Sequence, residues 1–194
     1  MSDTPPAGLN GALSGFVKGF RIRAASREMG NAKSVLDLGS GLCEILATIP
    51  KEMQYVGVER DPWMFERARR LFPERRFHRG DIEDPTFALS ERVDRILLLA
   101  VWEHLHDPEA LLRRAREWVL PGGRFIGTTP APATHRILEL GSKVGLLSRH
   151  ADEEHERLWS FDEIEAIARR SGWTMVRRRR FLFGANQLFV LAPS

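Results

Sequence analysis

A single cysteine, Cys43, stands in this chain of 194 residues, which excludes an internal disulfide framework. No apolar run is long enough to cross a bilayer and no basic-then-apolar leader is visible, so a soluble cytoplasmic protein is expected. An excess of one charge is also missing: 29 Lys and Arg face 26 Asp and Glu, for a formal net charge of +3. That balance permits an anionic partner without requiring one. The most basic run, Arg177 to Arg180, lacks interleaved aromatic residues, so nucleic acid is not the expected partner. In a strand this run would put two arginines on each face. Internal repeats and low-complexity tracts are absent. With 43% hydrophobic and 28% charged residues, the composition fits one globular domain with a sizeable core.

What is present is organised around Val35-Leu36-Asp37-Leu38-Gly39-Ser40-Gly41-Leu42-Cys43. Its apolar residues predict a buried parallel strand, and the two glycines predict a tight turn where backbone approaches a ligand closely. An ordinary strand-to-helix turn would read the same way in isolation. A dinucleotide-binding loop would need glycine or alanine at position 44, where Glu44 stands. Asp37 and Glu44 together suit a positively charged ligand better than a pyrophosphate.

Strand and helix then alternate. Residues 1–30 read as a loose arm followed by an amphipathic helix from Phe16 to Met29, and residues 31–194 as the main domain. Because the candidate cofactor contacts begin at Asp37, the arm and its helix are expected to be separable from cofactor binding. Strands are predicted at 55–59, 76–79, 93–100 and 124–128. Asp61-Pro62 and Asp107-Pro108 start helices, and Pro121-Gly122-Gly123 ends the second of them. The rhythm breaks at an insertion, residues 129–159, that reads as a lid with a helix at 135–144 and a polar patch at 150–157. A helix capped by Ser160 follows, and two antiparallel strands, 173–183 and 186–191, close the chain. The pattern predicts an α/β fold: a doubly wound, mainly parallel seven-stranded sheet with helices on both faces and the last strand antiparallel. Its ligand crevice should lie at the carboxyl ends of strands one to four.

Glu59 ends the second strand, 18 residues after Gly41, where a carboxylate can accept both hydroxyls of a ribose. Arg60 follows it. Asp81, after the third strand, is placed either to accept from an adenine amino group, with Ile82 against the base, or to cap a helix.

Asp37-x-Gly39-x-Gly41, Glu59, Gly80-Asp81 and Leu120-Pro121-Gly122-Gly123 together resemble the class I S-adenosylmethionine-dependent methyltransferases. The resemblance runs from about Val35 to the C-terminus. It is closest to a small branch with Glu-His-Leu after strand four, here Glu103-His104-Leu105, and a late His-x-x-Leu-x-Ser, here His155 to Ser160. The resemblance implies that Asp37, Gly39, Ser40 and Gly41 hold the methionine end of S-adenosylmethionine, Glu59 with Arg60 the ribose, and Asp81 with Ile82 the adenine. Ala100 and Val101 would line the methyl-donor side, and S-adenosylhomocysteine would be the product.

His104 and His155 are the candidate proton acceptors, each also readable as a structural histidine. Cys43 is a poor nucleophile candidate, since nothing near it in sequence lowers a thiol pKa. Some relatives of the quinone pathways bind a metal through a carboxylate three residues before the Glu-His pair. Ala100 stands there, so no metal is expected. The acceptor expected is a small molecule or a lipid- or sugar-linked, amphipathic compound, methylated at oxygen, and peripheral membrane contact is compatible with it. The rival readings are a non-catalytic S-adenosylmethionine-binding partner subunit and a nucleic-acid methyltransferase. Acceptor identity and oligomeric state are not legible in the sequence.

Overall fold

In the computed structural model, which describes residues 12–132 and 157–194 with side chains from residue 15, the strands form one seven-stranded sheet. They are β1 (Ser34–Leu38), β2 (Gln54–Glu59), β3 (Arg76–Arg79), β4 (Val93–Leu99), β5 (Val119–Pro130), β6 (Trp173–Phe181) and β7 (Asn186–Pro193). Their order is β3-β2-β1-β4-β5-β7-β6, with β1 to β5 parallel and β7 antiparallel between β5 and β6. The chain winds outward from β1 to β3, then returns to β4 on the other side of β1. That reversal opens a crevice between the carboxyl ends of β1 and β4.

The predicted α/β architecture is therefore the observed one. Its cause is visible residue by residue, because alternate side chains of each strand feed opposite layers. Leu36, Leu38, Ile96 and Leu98 pack with Leu111, Leu112, Ala115 and Trp118 of α3 (Pro108–Trp118) and with Ile164, Ile167 and Ala168 of α4 (Phe161–Arg170). Val35, Leu97 and Ile126 face the other way, onto Ala24 and Ala25 of α1 (Ala12–Ser26) and Ala68 of α2 (Pro62–Leu71). The two helix starts read from Asp-Pro pairs form as expected. Asp61 accepts from the Met64 N–H at 2.8 Å and Asp107 from the Ala110 N–H at 2.9 Å, each with proline in the first turn. Ser160 and Glu163 close a capping box on α4.

Three boundaries move. α1 spans Ala12–Ser26 rather than 16–29, because its packing overrides the helix cost of Gly15 and Gly19, about 1 kcal/mol each. α3 already stops at Trp118, and Pro121-Gly122-Gly123, expected to end it, lies inside β5, where the pairing with β4 shifts register between Val93 and Arg95. A bulge accommodates a proline that a regular ladder would reject. Thr129 and Pro130 pair with Gln187 and Asn186, so the insertion begins beyond β5. The helix read at 135–144, most of the patch read at 150–157, and His155 lie outside the described residues.

α1 is also less separable than the arm-and-helix reading implies. Ala24, Ala25 and Met29 are buried in the core beside Val35 and Ile45. Ser26 Oγ meets Thr48 Oγ at 2.6 Å, and Arg21 Nε donates to Asn186 Oδ1 at 2.8 Å. Deleting residues 1–28 is therefore expected to abolish S-adenosylhomocysteine binding by exposing this layer, with loss of the cooperative melting transition. A deletion variant that melts normally and binds as the full chain does would make the helix an appendage.

Candidate cofactor site

Gly39 and Ser40 leave β1 by donating both backbone N–H groups to the Val58 carbonyl at 2.9 Å, which pins the loop to the end of β2. Gly39 has φ +72°, and a Cβ there would stand 2.6 Å from Cγ2 of Val101. Both facts require glycine. Gly41, at φ +52°, has open space where its Cβ would be, so the loop surface is free for a ligand. Cys43 is also left-handed, at φ 60°, and precedes the short turn Glu44–Ala47.

Two adjoining cavities meet at this loop and share Gly39, Gly41, Met64, Leu99 and Ala100. The first, about 220 Å³, is bounded by Asp37, Ser40 and Glu44 on one side and by Lys18 and Arg21 of α1 on the other. Acids and bases facing one another suit a zwitterion. The second, about 250 Å³, is lined by Glu59, Arg60, Asp81, Ile82, Val101 and His104. All ten sequence-derived cofactor candidates thus lie on one continuous crevice, and of the two histidines His104 lies on it too.

Each polar group in the crevice has a physical setting. Asp37 is buried and accepts from the Tyr55 hydroxyl at 2.8 Å. Burial pushes its pKa up to about 7 against that hydrogen bond, and the charges of Glu44 and Glu59 push the same way. Glu59 accepts the Gly41 N–H on one oxygen and the Asp61 N–H on the other, both at 2.8 Å. It thereby locks the glycine loop to the end of β2, and each oxygen has lone-pair capacity beyond that one bond. Asp81 accepts from the Glu83 N–H at 2.9 Å, and the Arg60 guanidinium lies 3.7 Å from its other oxygen. Glu83 in turn accepts the His106 and Asp107 N–H groups at 2.7 and 2.9 Å, tying the loop after β3 to the loop after β4. Ala100, at φ 58°, occupies the left-handed region at the end of β4 and donates its N–H to the Thr128 carbonyl at 2.9 Å. For a residue with a Cβ this geometry costs about 1 kcal/mol or more, and such strain is concentrated at functional sites.

The cluster Glu103, His104, His106 and Asp107 disperses. Glu103 is buried, His106 Nδ1 meets Glu83 at 3.0 Å, and Asp107 caps α3. Among the described residues no three His, Cys, Asp or Glu side chains are grouped to hold a metal ion. Cys43 is fully buried, and burial pushes its thiol up to about 12, assisted by the charge of Asp37. We expect no labelling of the native protein by a thiol-specific reagent at pH 8 and one reactive thiol after denaturation; rapid native labelling would contradict the burial.

Sequence reasoning missed Lys18, Arg21 and Met64 as cavity walls. α1 carries Lys18 and Arg21 over the crevice by tertiary packing, for which the local sequence holds no signal. Met64 had one available clue, its place in the first turn of a helix capped by Asp61.

A glycine loop at the switch point of a sheet ordered β3-β2-β1-β4-β5-β7-β6, with an acid at the end of β2, defines the S-adenosylmethionine-dependent methyltransferase class. The chain belongs to the methyltransferase domain family, whose model matches residues 13–178. Solved structures of similar fold include a TehB-like S-adenosylmethionine-dependent methyltransferase from Corynebacterium glutamicum, 19% identical, with TM-score 0.66 over 90% of this chain and 87% of that one. The mitomycin 7-O-methyltransferase is 19% identical, with TM-score 0.69 over 93% of this chain and 55% of that one. A glycopeptide N-methyltransferase complexed with S-adenosylhomocysteine is 17% identical, with TM-score 0.70 over 89% and 88%. No curated protein matches the chain.

Proposed function

We propose that this methyltransferase moves the methyl group of S-adenosylmethionine to an oxygen of an amphipathic small molecule, lipid- or sugar-linked. The observation that carries the donor assignment is the joined crevice: a cavity with facing acids and bases for the amino-acid end, continuous with one that presents the Glu59 carboxylate. In it Asp37 and Glu44 would face the ammonium, Lys18 and Arg21 the carboxylate, Glu59 the ribose, and Asp81 with Ile82 the adenine. The bound donor supplies an electrophilic methyl on a sulfonium, so the chain has mainly to align an incoming nucleophile and receive its proton. Ala100 stands where the two cavities join, Val101 next to it lines the second, and His104 on that same cavity is our candidate proton acceptor. The preference for oxygen is ours, since the similar folds include both an O- and an N-methyltransferase. Exposed Phe16 and Phe20, one turn apart on α1 and beside Arg21, favour an acceptor with an apolar part.

The test is S-adenosylhomocysteine formation when the chain is incubated with S-adenosylmethionine and a panel of hydroxylated lipids, glycosides and small aromatic acids, with and without a chelator. Turnover on an apolar hydroxyl compound that survives chelation supports the reading. Tight donor binding with no turnover on any acceptor would favour a binding subunit.

A further inference from the structure

Of the exposed aromatic residues on the α1 side of the crevice, the reading above uses the Phe16 and Phe20 pair and leaves Phe183 without a role. Phe183, at the tip of the β6–β7 hairpin, is 101% exposed, and Phe16 and Phe20 of α1 are 58% and 37% exposed. The hairpin turn holds three successive left-handed residues, Leu182, Phe183 and Gly184, at φ 52°, 55° and 92°. Two of them have side chains that disfavour this region, so the turn presents Phe183 outward at a conformational cost. Phe16 and Phe20 stack edge to face at 4.8 Å. The two features share one end of the molecule, because Arg21, next to Phe20, is bonded to Asn186, three residues beyond Phe183. That end holds the crevice mouth, since Arg21 also lines the first cavity.

Charge is sorted in the same way only in part, because Arg178 and Arg180 lie over the Phe161 ring on the other face of the sheet and leave Arg177 and Arg179 on the α1 side. Stretches 12–27 and 173–194 each carry four Lys or Arg and no acid, although the whole chain is nearly balanced. Some of these cations are paired with acids from elsewhere: Lys18 with Glu44, Arg177 with Glu28 and Arg178 with Asp162. Arg23 and Arg179 have no acidic partner among the described residues, and Arg179 Nε is buried without a hydrogen bond. Arg179 pairs in register with Leu188, whose side chain packs in the α1-side layer.

We propose that Phe183, the Phe16 and Phe20 pair and the flanking arginines form a docking surface for an anionic lipid membrane, seated at the mouth of the crevice. A phenyl ring without a polar handle, protruding from the tip of a hairpin whose first strand carries Arg177 to Arg180, matches an acyl boundary beneath negative headgroups. An acidic protein partner would need an apolar pocket for each protruding ring as well as the matching charge, whereas an anionic bilayer supplies both without a shaped site. The surface stands on its own observations; its use, delivery of an amphipathic acceptor from the membrane, rests on the proposed function.

The experiment is cosedimentation of the full chain with phosphatidylcholine vesicles, with and without phosphatidylglycerol, at low and high salt. S-adenosylhomocysteine binding is measured on the same preparations. The expected result is partition at least about tenfold stronger on anionic vesicles at low salt, lost at high salt. Phe183→Ser should weaken it about tenfold and Arg179→Gln severalfold, with S-adenosylhomocysteine affinity and melting temperature unchanged. Equal partition on neutral and anionic vesicles, or Phe183→Ser binding as the parent does, overturns the proposal. Self-association without lipid that Phe183→Ser abolishes would assign the surface to a second copy and equally overturn it, as would salt-sensitive binding to transfer RNA with none to vesicles. Absence of S-adenosylhomocysteine binding alongside intact vesicle binding would defeat the proposed function and leave the surface standing.

Discussion

Glu59→Ala is expected to raise the dissociation constant of S-adenosylhomocysteine by about two orders of magnitude. Two ribose hydroxyls would lose a charged acceptor, and hydrogen bonds to charged groups contribute about 1.5 to 3 kcal/mol. The structure adds a second cost, because the same carboxylate accepts from the Gly41 and Asp61 N–H groups, and truncation leaves both donors of the loop without it. An alanine variant therefore loses recognition and loop preorganisation together. Glu59→Gln separates the two in part: its carbonyl oxygen can keep one backbone donor, while its amide N–H₂ confronts the other. We expect it to bind between the parent and the alanine variant by calorimetry. An alanine variant with unchanged affinity would remove Glu59 from the ribose role.

The second large effect is a pH dependence of donor binding. The Asp37 carboxyl has its pKa raised from the ordinary 3.8 to about 7 by burial, so its neutral form is favoured in the folded protein. For stability the sign follows directly. The contribution is fully present below about pH 4 and is lost as pH rises through about 7, where the buried carboxyl must ionise. For binding the sign is opposite, because a ligand ammonium favours the ionised carboxylate. Below pH 7 the carboxyl must first release its proton, and affinity should fall by up to about tenfold per pH unit. Calorimetry of S-adenosylhomocysteine between pH 5.5 and 7.5 in buffers of different ionisation enthalpy should show affinity rising with pH and a proton released on binding. Asp37→Asn should flatten the profile and bind more weakly at pH 7.5. 5′-Methylthioadenosine, which lacks the amino-acid end, should show no such dependence on the parent protein; the same slope for both ligands would place the titrating group elsewhere.

Particular residues show how far local reading extends. The parallel core was legible because Val35 to Leu38 and Ile96 to Leu99 are apolar on both faces, and helix starts were legible because Asp-Pro pairs act on their own next turn. The cofactor candidates were legible for a related reason: each stands in the last two residues of a strand or within three residues past its end, and the alternation of strand and helix brings strand ends together. α1 was misjudged because its boundary depends on what it packs against. Nothing between Ala12 and Ser26 announces that Ala24 and Ala25 will be buried beneath the sheet's far strands or that Lys18 and Arg21 will overhang the glycine loop.

By itself, then, the order of residues determined the α/β class, the switch-point crevice and the identity of the groups lining most of it, since these follow from side-chain period, turn chemistry and chain order. Only the tertiary structure decided that Glu59 is braced by two backbone donors, that Asp37 titrates near 7, that Ala100 is held left-handed, and that Phe183 shares an end of the molecule with α1. Those properties arise from burial and from contacts between residues far apart in the chain, which no local pattern encodes.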